Sequence, residues 1–277
     1  MKKVKLTLEE HHQILYEIVY VIDDFCKKYG IDYILHAGSM LGAVRHNAII
    51  PWDDDVDIVM TRPNYERFVK LYRENQPQGY PIFDFDHFDW YDYPFAKIAK
   101  DGTFFRQGYF NQPPMGIFVD VFVVDGCGNN LKEAQQHFIN VSVPVLEKQF
   151  WFNGNPKVNF NNWKSKIIYY LQVFPFIIFT PIKKWYLRQL YKKAQEYSVA
   201  DSKYSAVIVC GLEGLRDVMP TECFTHITKR KFGAREMPIS ELYDEYLSAM
   251  YGDYMTPLPP EKRTHHGEGV SYLLVDE

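Results

Sequence analysis

The spacing of apolar residues predicts a module of alternating helices and strands in residues 1–125. Apolar positions recur at helical intervals through residues 7–29, where Thr7 and Glu10 form a capping-box start and Gly30 marks the end. Proline at position 63 starts a second amphipathic helix over 64–74. Apolar runs that are too short for helices predict strands at 33–36, 55–60 and 116–124.

The rest of the pattern is mainly helical and completes the predicted fold class. Lys100, Asp101 and Gly102 have hairpin turn chemistry and lie between strand candidates at 94–99 and 103–106. Further helices are predicted near 131–150, 185–198 and 240–250. We therefore expect an α+β fold with a mixed-sheet core at 1–126 and a mainly helical region at 127–277.

Composition excludes several classes of protein. The chain has 277 residues, of which 47% are apolar and 24% charged, as in soluble globular proteins. Its net charge of −4 gives no global positive field for a nucleic acid, so no nucleic-acid partner is expected. The four cysteines form no CxxC pair and are interpreted as reduced thiols. No apolar leader follows Met1, which predicts a cytoplasmic protein.

A cluster of acids beside an apolar strand is the most informative feature. The stretch IIPWDDDVDIVM contains Asp53, Asp54, Asp55 and Asp57. Side chains at i and i+2 of a strand share a face, so Asp55 and Asp57 are expected to project together, with Asp53 joining them if the strand begins early. Such a set suits Mg²⁺, whereas the spacing does not fit an EF-hand calcium loop. Solvated turn acids would explain Asp53 and Asp54 but not Asp57.

An aspartate, Asp120, interrupts the apolar strand predicted at 116–124, where burying its charge would destabilise the fold. Asp120 would carry an unpaired charge in a core strand unless a metal or a donor compensated it. If that strand neighbours the one with Asp55, the carboxylates converge on one site. Asp125 is a weaker candidate, since it precedes Gly126 at the strand end, where turn aspartates are common. Gly38 and Ser39 offer amide groups at a helix start, which suits a phosphate oxygen.

These features together resemble a known family. The stretch HAGSMLGAVRHNAIIPWDDDVDIVMTRPNYERF is similar to the signature of the LicD family, bacterial phosphocholine transferases related to fukutin-related protein. Three further segments agree with this family, at 116–126, 243–255 and 258–266. The resemblance implies a nucleotidyltransferase-like fold. It also implies transfer of a phospho-alcohol, most simply phosphocholine, from a CDP-linked donor to a glycan hydroxyl in lipopolysaccharide or teichoic acid biosynthesis, with release of CMP.

The resemblance also implies roles for individual residues. Asp55 and Asp57 would hold Mg²⁺, or Mn²⁺ in its place, with Asp53 assisting and Asp120 acting as a further ligand or as general base. Arg45 and Lys97 are candidate clamps for the donor diphosphate, with ordinary surface cations as the alternative. Near the C-terminal end, the donors that could close over a phosphate are Arg263, His265 and His266, unless this segment is only a flexible polar terminus.

Two other segments bear on substrate and location. Residues 83–93 mix acids with aromatic rings, and Trp90, Tyr91 or Tyr93 could contribute to a choline cage, although an aromatic loop with solvated acids is the alternative. Residues 167–182 are apolar, interrupted by prolines and flanked by lysines, and positions 163–198 carry a net charge of +6. This favours peripheral association with the inner face of the cell membrane, with a buried core hairpin as the alternative.

Two competing functions remain open from the sequence. A true nucleotidyltransferase would use the same carboxylates to move NMP from an NTP and would release pyrophosphate instead of CMP. A non-catalytic scaffold at the membrane would tolerate Asp55→Ala without loss of function.

Overall fold

The computed structural model describes residues 2–91, 93–106, 115–152, 163, 180–211, 214–263 and 270–275. In chain order, its strands are β1 (Lys2–Lys5), β2 (Ile34–Leu35), β3 (Asp57–Thr61), β4 (Ile82–Phe83), β5 (Ala96–Ala99), β6 (Thr103–Arg106), β7 (Phe118–Gly128), β8 (Tyr204–Ala206), β9 (Met219–Pro220), β10 (Ile227–Phe232), β11 (Arg235–Ser240) and β12 (Val270–Val275). Its helices are α1 (Leu8–Tyr29), α2 (Ala37–His46), α3 (Arg62–Glu74), α4 (Leu131–Phe152), α5 (Thr180–Ala194), α6 (Glu222–Thr225) and α7 (Tyr243–Tyr251).

A mixed sheet forms the centre of the described structure. Its strand order is β2-β3-β7-β5-β4, and β8 pairs with the far end of β7 and with β9. The β3–β7 pair is parallel, whereas the other pairs of this sheet are antiparallel. Strand β7 is buried along nearly its whole length because it lies between two neighbours and under helices, which explains its continuous apolar run. This confirms the predicted α+β class with a mixed sheet.

Helix α1 illustrates how far local signals determine an element. Thr7 and Glu10 form both hydrogen bonds of the capping box, and Gly30 ends the helix in the left-handed conformation. The apolar stripe of α1 is buried in the core, with Leu15 and Ile18 fully inaccessible to solvent. Helix α3 begins as predicted, with proline in its first turn, and packs on β3 and β7.

The hairpin predicted around residues 100–102 is wrong. The chain does turn there, with Gly102 at a φ of +74°, but β5 joins the central sheet and β6 pairs with β12 in a second sheet of order β1-β12-β6. The turn chemistry predicted the reversal correctly, yet it carries no information on which distant strand becomes the partner.

The second half of the chain adds strands to the predicted helices. Strands β10 and β11 form a regular antiparallel hairpin that contacts α2 and β2. The boundary predicted at residue 126 stays a prediction, although β7 runs across it and pairs with β8. All four cysteines are free, and their side chains are buried. Across the described ranges, no helix combines the length and the apolar character needed to cross a membrane.

Candidate active site

The parallel pairing of β3 with β7 brings two distant aspartates side by side. Asp57, the first residue of β3, lies in register with Asp120 on β7. Burial alternates along the preceding segment: Asp54 and Val56 are buried, whereas Asp53, Asp55 and Asp57 are partly exposed. Because they are in register on adjacent strands, Asp57 and Asp120 project to the same face of the sheet.

The pKa of the Asp57 carboxyl is shifted by the acidic side chains around it. Burial raises the pKa of the Asp57 carboxyl well above its usual range, and the neighbouring charges of Asp55, Asp120 and Asp53 raise it further. Lys97 opposes this shift but does not cancel it. Asp57 and Asp120 lie in register, and with the neighbouring acids the site carries an excess of negative charge that a cation would relieve.

The acid loop, residues 53–55, also contains a group of carboxylates close enough to share an ion. One oxygen each of Asp53, Asp54 and Asp55 lies within 4.8 Å of the other two. Carboxylate oxygens within such a distance fit Mg²⁺, which binds oxygen ligands at about 2.0–2.1 Å. Asp54 was not among the predicted ligands, and the alternative of a solvated turn acid is wrong for it because its side chain is buried. Only the tertiary fold reveals this.

Asp120 makes a close ion pair with Lys97 on the adjacent strand β5. The Lys97 ammonium donates to Oδ1 of Asp120 and lies 3.7 Å from the centre of the Phe118 ring. Burial raises the pKa of Asp120, and the Lys97 charge lowers it. Lys97 is buried, so the alternative of an ordinary surface cation is wrong. Its ammonium compensates the charge of Asp120 next to the acid loop.

The glycine turn at the start of α2 lies directly against the acid loop. A Cβ atom on Gly38 would lie 3.0 Å from Oδ2 of Asp53, so any larger residue here would require this carboxylate to shift slightly. Ala37 has a left-handed φ of +42°, which is strained for a residue with a side chain. The turn therefore places backbone and carboxylate in contact at some cost in strain.

Ser39 is engaged differently from the expectation of a free amide. Its N–H donates to the carbonyl of His36 at 2.9 Å, and its buried hydroxyl accepts from the N–H of Asp57 at 2.8 Å. Ser39 thus ties the start of α2 to the start of β3. In this conformation its main role is to hold Asp57 beside the turn.

His36 and Tyr246 are site-proximal residues that sequence reasoning missed. The Tyr246 hydroxyl lies 2.6 Å from Nδ1 of His36 and also accepts from the N–H of the strained Ala37, at 3.4 Å. Burial lowers the pKa of His36 to about 4, so its ring is neutral near pH 7. Helix α7, more than two hundred residues away in the chain, therefore supports the glycine turn. No short-range pattern could have signalled this contact.

A basic cluster surrounds Trp52, the residue before the acid loop. The Arg263 guanidinium stacks on the Trp52 ring at 4.2 Å, and the His46 ring meets the same tryptophan edge-on at 5.9 Å. Arg45 donates to His46 and to the carbonyl of Tyr254, at 3.0 and 2.6 Å. Burial lowers the pKa of Arg45, and the charge of Arg263 lowers it further. The structure thus brings Arg45 and Arg263 together, whereas His265 and His266 lie outside the described residues.

Comparison with known proteins agrees with this geometry. Residues 30–166 match the LicD/FKTN/FKRP nucleotidyltransferase domain. The chain is 29% identical over 280 residues to the lipopolysaccharide cholinephosphotransferase LicD of Haemophilus influenzae, which covers 98% of this chain and 99% of that protein. An uncharacterised protein of Rickettsia typhi is 35% identical over 68 residues, or 24% of this chain and 22% of that protein.

The chain belongs to the LicD family. Family membership agrees with the predicted nucleotidyltransferase-like fold and indicates that the protein is a phosphotransferase enzyme. The acids of β3 and β7 and the glycine turn all fall inside the matched range.

The aromatic loop of this LicD-family chain does not form one closed cage. Trp90 is 40% exposed and packs on Phe83 and Phe88, each with ring centres 5.5 Å away. Tyr93 instead lies 5.1 Å from the Lys97 ammonium, and the fully buried Tyr91 separates it from Trp90. Choline recognition by Trp90 or Tyr93 stays a prediction, but each would act as a separate aromatic surface.

The segment considered for membrane association lies mostly outside the described residues, at 164–179. Lys184, one of its flanking lysines, lies within the described residues. Lys184 is buried and donates to the carbonyls of Phe85, Phe88 and Tyr91. It therefore fixes the aromatic loop and does not face lipid headgroups, which corrects its expected role. The neighbouring Trp185 is 61% exposed.

Proposed function

We propose that this LicD-family enzyme transfers phosphocholine from a CDP-linked donor to a hydroxyl of a glycan such as lipopolysaccharide and releases CMP. The observation that carries the proposal is the convergence of Asp53, Asp55, Asp57 and Asp120, within a chain similar along 98% of its length to a lipopolysaccharide cholinephosphotransferase. Four carboxylates with one buried lysine among them suit a divalent cation and a diphosphate better than a purely structural role.

The proposed reaction uses this arrangement. The acceptor hydroxyl attacks the phosphorus that bears choline, the bond from that phosphorus to the bridging oxygen breaks, and CMP leaves with the bonding electrons. Asp120 is assigned either as a ligand or as the base that accepts the hydroxyl proton. Its contact with the Lys97 ammonium stabilises the ionised form that either role requires.

The metal would be Mg²⁺, with Mn²⁺ as the alternative. Asp53, Asp55 and Asp57 would hold it, together with Asp54, whose carboxylate the fold adds to the group. Bound there, the cation would neutralise charge on the donor phosphates and so favour departure of CMP. Gly38 leaves the space in which the Asp53 carboxylate reaches this position.

The donor diphosphate has candidate partners on both sides of the acids. Arg45 and Arg263 form a local concentration of positive charge beside Trp52, and none of the described ion pairs involves either of them. We assign Arg45 and Arg263 to phosphate binding on this basis. Lys97 contributes through Asp120. The amide groups at Gly38 and Ser39 remain a weaker candidate, since the Ser39 N–H is already bonded.

A second candidate function is nucleotidyl transfer, which the description of the matched domain favours. The same carboxylates would then direct attack at the α-phosphorus of an NTP, with pyrophosphate as the leaving group. The two reactions differ in the leaving group, so the identity of the released product separates them.

The decisive experiment incubates the enzyme and Mg²⁺ with CDP-choline, CDP-ribitol, CDP-glycerol and CTP, each with and without a lipopolysaccharide or teichoic-acid acceptor. We expect CMP and glycan-bound choline in equal amounts from CDP-choline only when acceptor is present. Asp57→Asn should abolish both, whereas the exposed Asp201→Asn should leave them unchanged. Pyrophosphate release from CTP would support nucleotidyl transfer. A protein that releases no product from any donor, and whose function in the cell tolerates Asp55→Ala, would instead be a scaffold.

Substrate recognition and location can be tested separately. Trp90→Ala and Tyr93→Ala should raise the KM for CDP-choline more than the KM for CDP-glycerol if the aromatic rings hold the trimethylammonium group.

We further propose peripheral binding to the inner face of the cell membrane. The protein should then sediment with anionic vesicles, and deletion of 167–182 should abolish this; unchanged sedimentation would contradict it.

A further inference from the structure

Two consecutive histidines of α1 contact two consecutive residues of the acid loop. Nε2 of His12 lies 2.6 Å from the backbone carbonyl of Asp53, and Nε2 of His11 lies 2.8 Å from the backbone carbonyl of Asp54. A carbonyl oxygen only accepts, so each ring donates an N–H from Nε2. Both donors come from the first turns of a helix that precedes the matched family domain at 30–166.

Contacts on α1 and around it hold the two histidine rings in place. The capping box of Thr7 and Glu10 fixes the first turn of α1, immediately before the two histidines. His11 is buried and packs against the Phe105 ring, with centres 5.0 Å apart, whereas His12 is partly exposed. Helix α1 is itself anchored by its apolar stripe, so the two donors are held rigidly above the loop.

The acid loop needs such support because its side chains repel one another. Carboxylate oxygens of Asp53, Asp54 and Asp55 lie within 4.8 Å, and like charges at this distance favour a loop that opens. A hydrogen bond to each of two successive backbone carbonyls fixes the loop without using a carboxylate oxygen as the acceptor. The N–H groups also direct the positive ends of their dipoles toward the loop.

We infer that His11 and His12 are positioning residues of the active site, which hold the acid loop in the conformation that binds the divalent cation. The inference rests on the proposed function in one respect, namely that the loop binds Mg²⁺. It assigns a role to α1, which lies outside the matched domain. It also explains why two polar rings sit at the start of a helix whose other inward residues are mainly apolar.

The test compares a variant that keeps the donor with one that loses it. In His12→Gln the side-chain amide can replace the N–H at Nε2, whereas His12→Leu has similar volume but no donor. Calorimetric titration with MgCl₂ alone should show binding weakened by about 10- to 100-fold in His12→Leu, the range found for partners that orient metal ligands. His12→Gln should stay within about threefold of the wild type, and kcat should follow the same order.

Hydrogen exchange provides a readout that does not depend on metal or substrate. The amide of Asp53 donates to the carbonyl of Ile50 at 2.9 Å, so its exchange reports opening of the acid loop. We expect faster exchange in residues 50–57 for His12→Leu but not for His12→Gln. The control is His137→Leu, which removes a histidine on α4 that is buried in the same way as His11.

The outcomes separate this inference from the proposed function. If the wild type binds no Mg²⁺, the proposed metal role fails, and the exchange data alone judge the positioning role. Equal exchange in the wild type and in both His12 variants would overturn the inference, as would Mg²⁺ binding in His12→Leu equal to that of the wild type. Loss of binding in His12→Gln as large as in His12→Leu would also overturn it, since packing and not the donor would then be responsible.

His11→Gln and His11→Leu should repeat the pattern, with a larger loss of thermal stability because His11 is buried.

Discussion

The two ends of strand β7 carry aspartates with opposite surroundings. Asp125 accepts two hydrogen bonds from the Arg62 guanidinium, at 2.8 and 2.6 Å, and its side chain is 1% exposed. Asp120 pairs with Lys97 but lies in register with a second aspartate, Asp57. One end therefore holds a single carboxylate matched by a single guanidinium, whereas the other holds several carboxylates around one ammonium.

This difference separates a structural ion pair from a functional cluster. Burial raises the pKa of both Asp125 and Asp57. Arg62 opposes the shift at Asp125, whereas at Asp57 the neighbouring carboxylates reinforce it. Buried charge that the protein leaves uncompensated destabilises the fold, and such sites are where ligands and metals bind. The Asp120 end is therefore the candidate active site, and the Asp125 end stabilises the fold.

Replacing Asp57 should give the largest effect. Asp57→Asn should lower kcat by at least about 100-fold, the scale observed when one group that stabilises transition-state charge is removed. The same variant should raise the Tm of the metal-free protein by about 2–4 °C, because repulsion among the carboxylates decreases. Activity assays and calorimetry would measure the two changes. A fall in both quantities would show that Asp57 is mainly structural.

Breaking the pair at the other end should affect stability alone. Arg62→Met leaves the Asp125 carboxylate buried without its guanidinium, and we expect a loss of about 3 kcal/mol in the free energy of unfolding. Chemical denaturation would measure it, and kcat per folded molecule should not change. Lys100→Met is the matched control, since the Lys100–Glu17 pair is more exposed and should contribute less than about 1 kcal/mol.

The pH dependence of stability should differ between Asp57→Asn and the wild type. The pKa of Asp57 is higher in the folded than in the unfolded chain, so the folded state retains this proton more strongly. In the unfolded chain the pKa of an aspartate is about 4, and below that pH the contribution of Asp57 to the free energy of unfolding is intact. This contribution decreases as the pH rises through the raised pKa that Asp57 has in the folded chain. The buried His36 has a lowered pKa and acts in the opposite direction, but it is common to both proteins. The stability difference between variant and wild type should thus grow with pH, and a constant difference would contradict this.

A smaller effect is expected from the contact between the glycine turn and the acid loop. Gly38→Ala places a methyl group 3.0 Å from Oδ2 of Asp53, which must move by a few tenths of an ångström. We expect a KM for Mg²⁺ raised by about three- to tenfold, while the Tm stays constant or increases slightly because alanine favours the helix. Initial rates at varied MgCl₂ would measure this. A KM equal to that of the wild type would show that the carboxylate adjusts freely.

Much of the local structure could be predicted because its causes lie within a few residues. The capping box and Gly30 determined the ends of α1, and proline determined the start of α3. The expectation that Asp55 and Asp57 share a face agrees with their partial exposure on either side of the buried Val56. The hairpin predicted at 100–102 is wrong because strand pairing is not determined locally. The turn reverses the chain, but it does not determine which strand pairs with β6.

The site required information that no local pattern contains. Asp54 belongs to a crowded carboxylate group, yet the local pattern gave it no predicted role. The sequence likewise gave no signal for the support of the glycine turn by Tyr246, or for the two histidines that hold the acid loop.

By itself, the chain determined which residues bear charge, where helices and strands begin, and that its acids are too costly to bury without a partner. Only the tertiary structure decided which of those acids meet, because the parallel register of β3 and β7 joins positions 57 and 120. Local conformation depends on backbone sterics and nearby hydrogen bonds, which neighbouring residues determine. The convergence of charges depends on strand pairing across dozens of residues, which is set by the packing of the whole core.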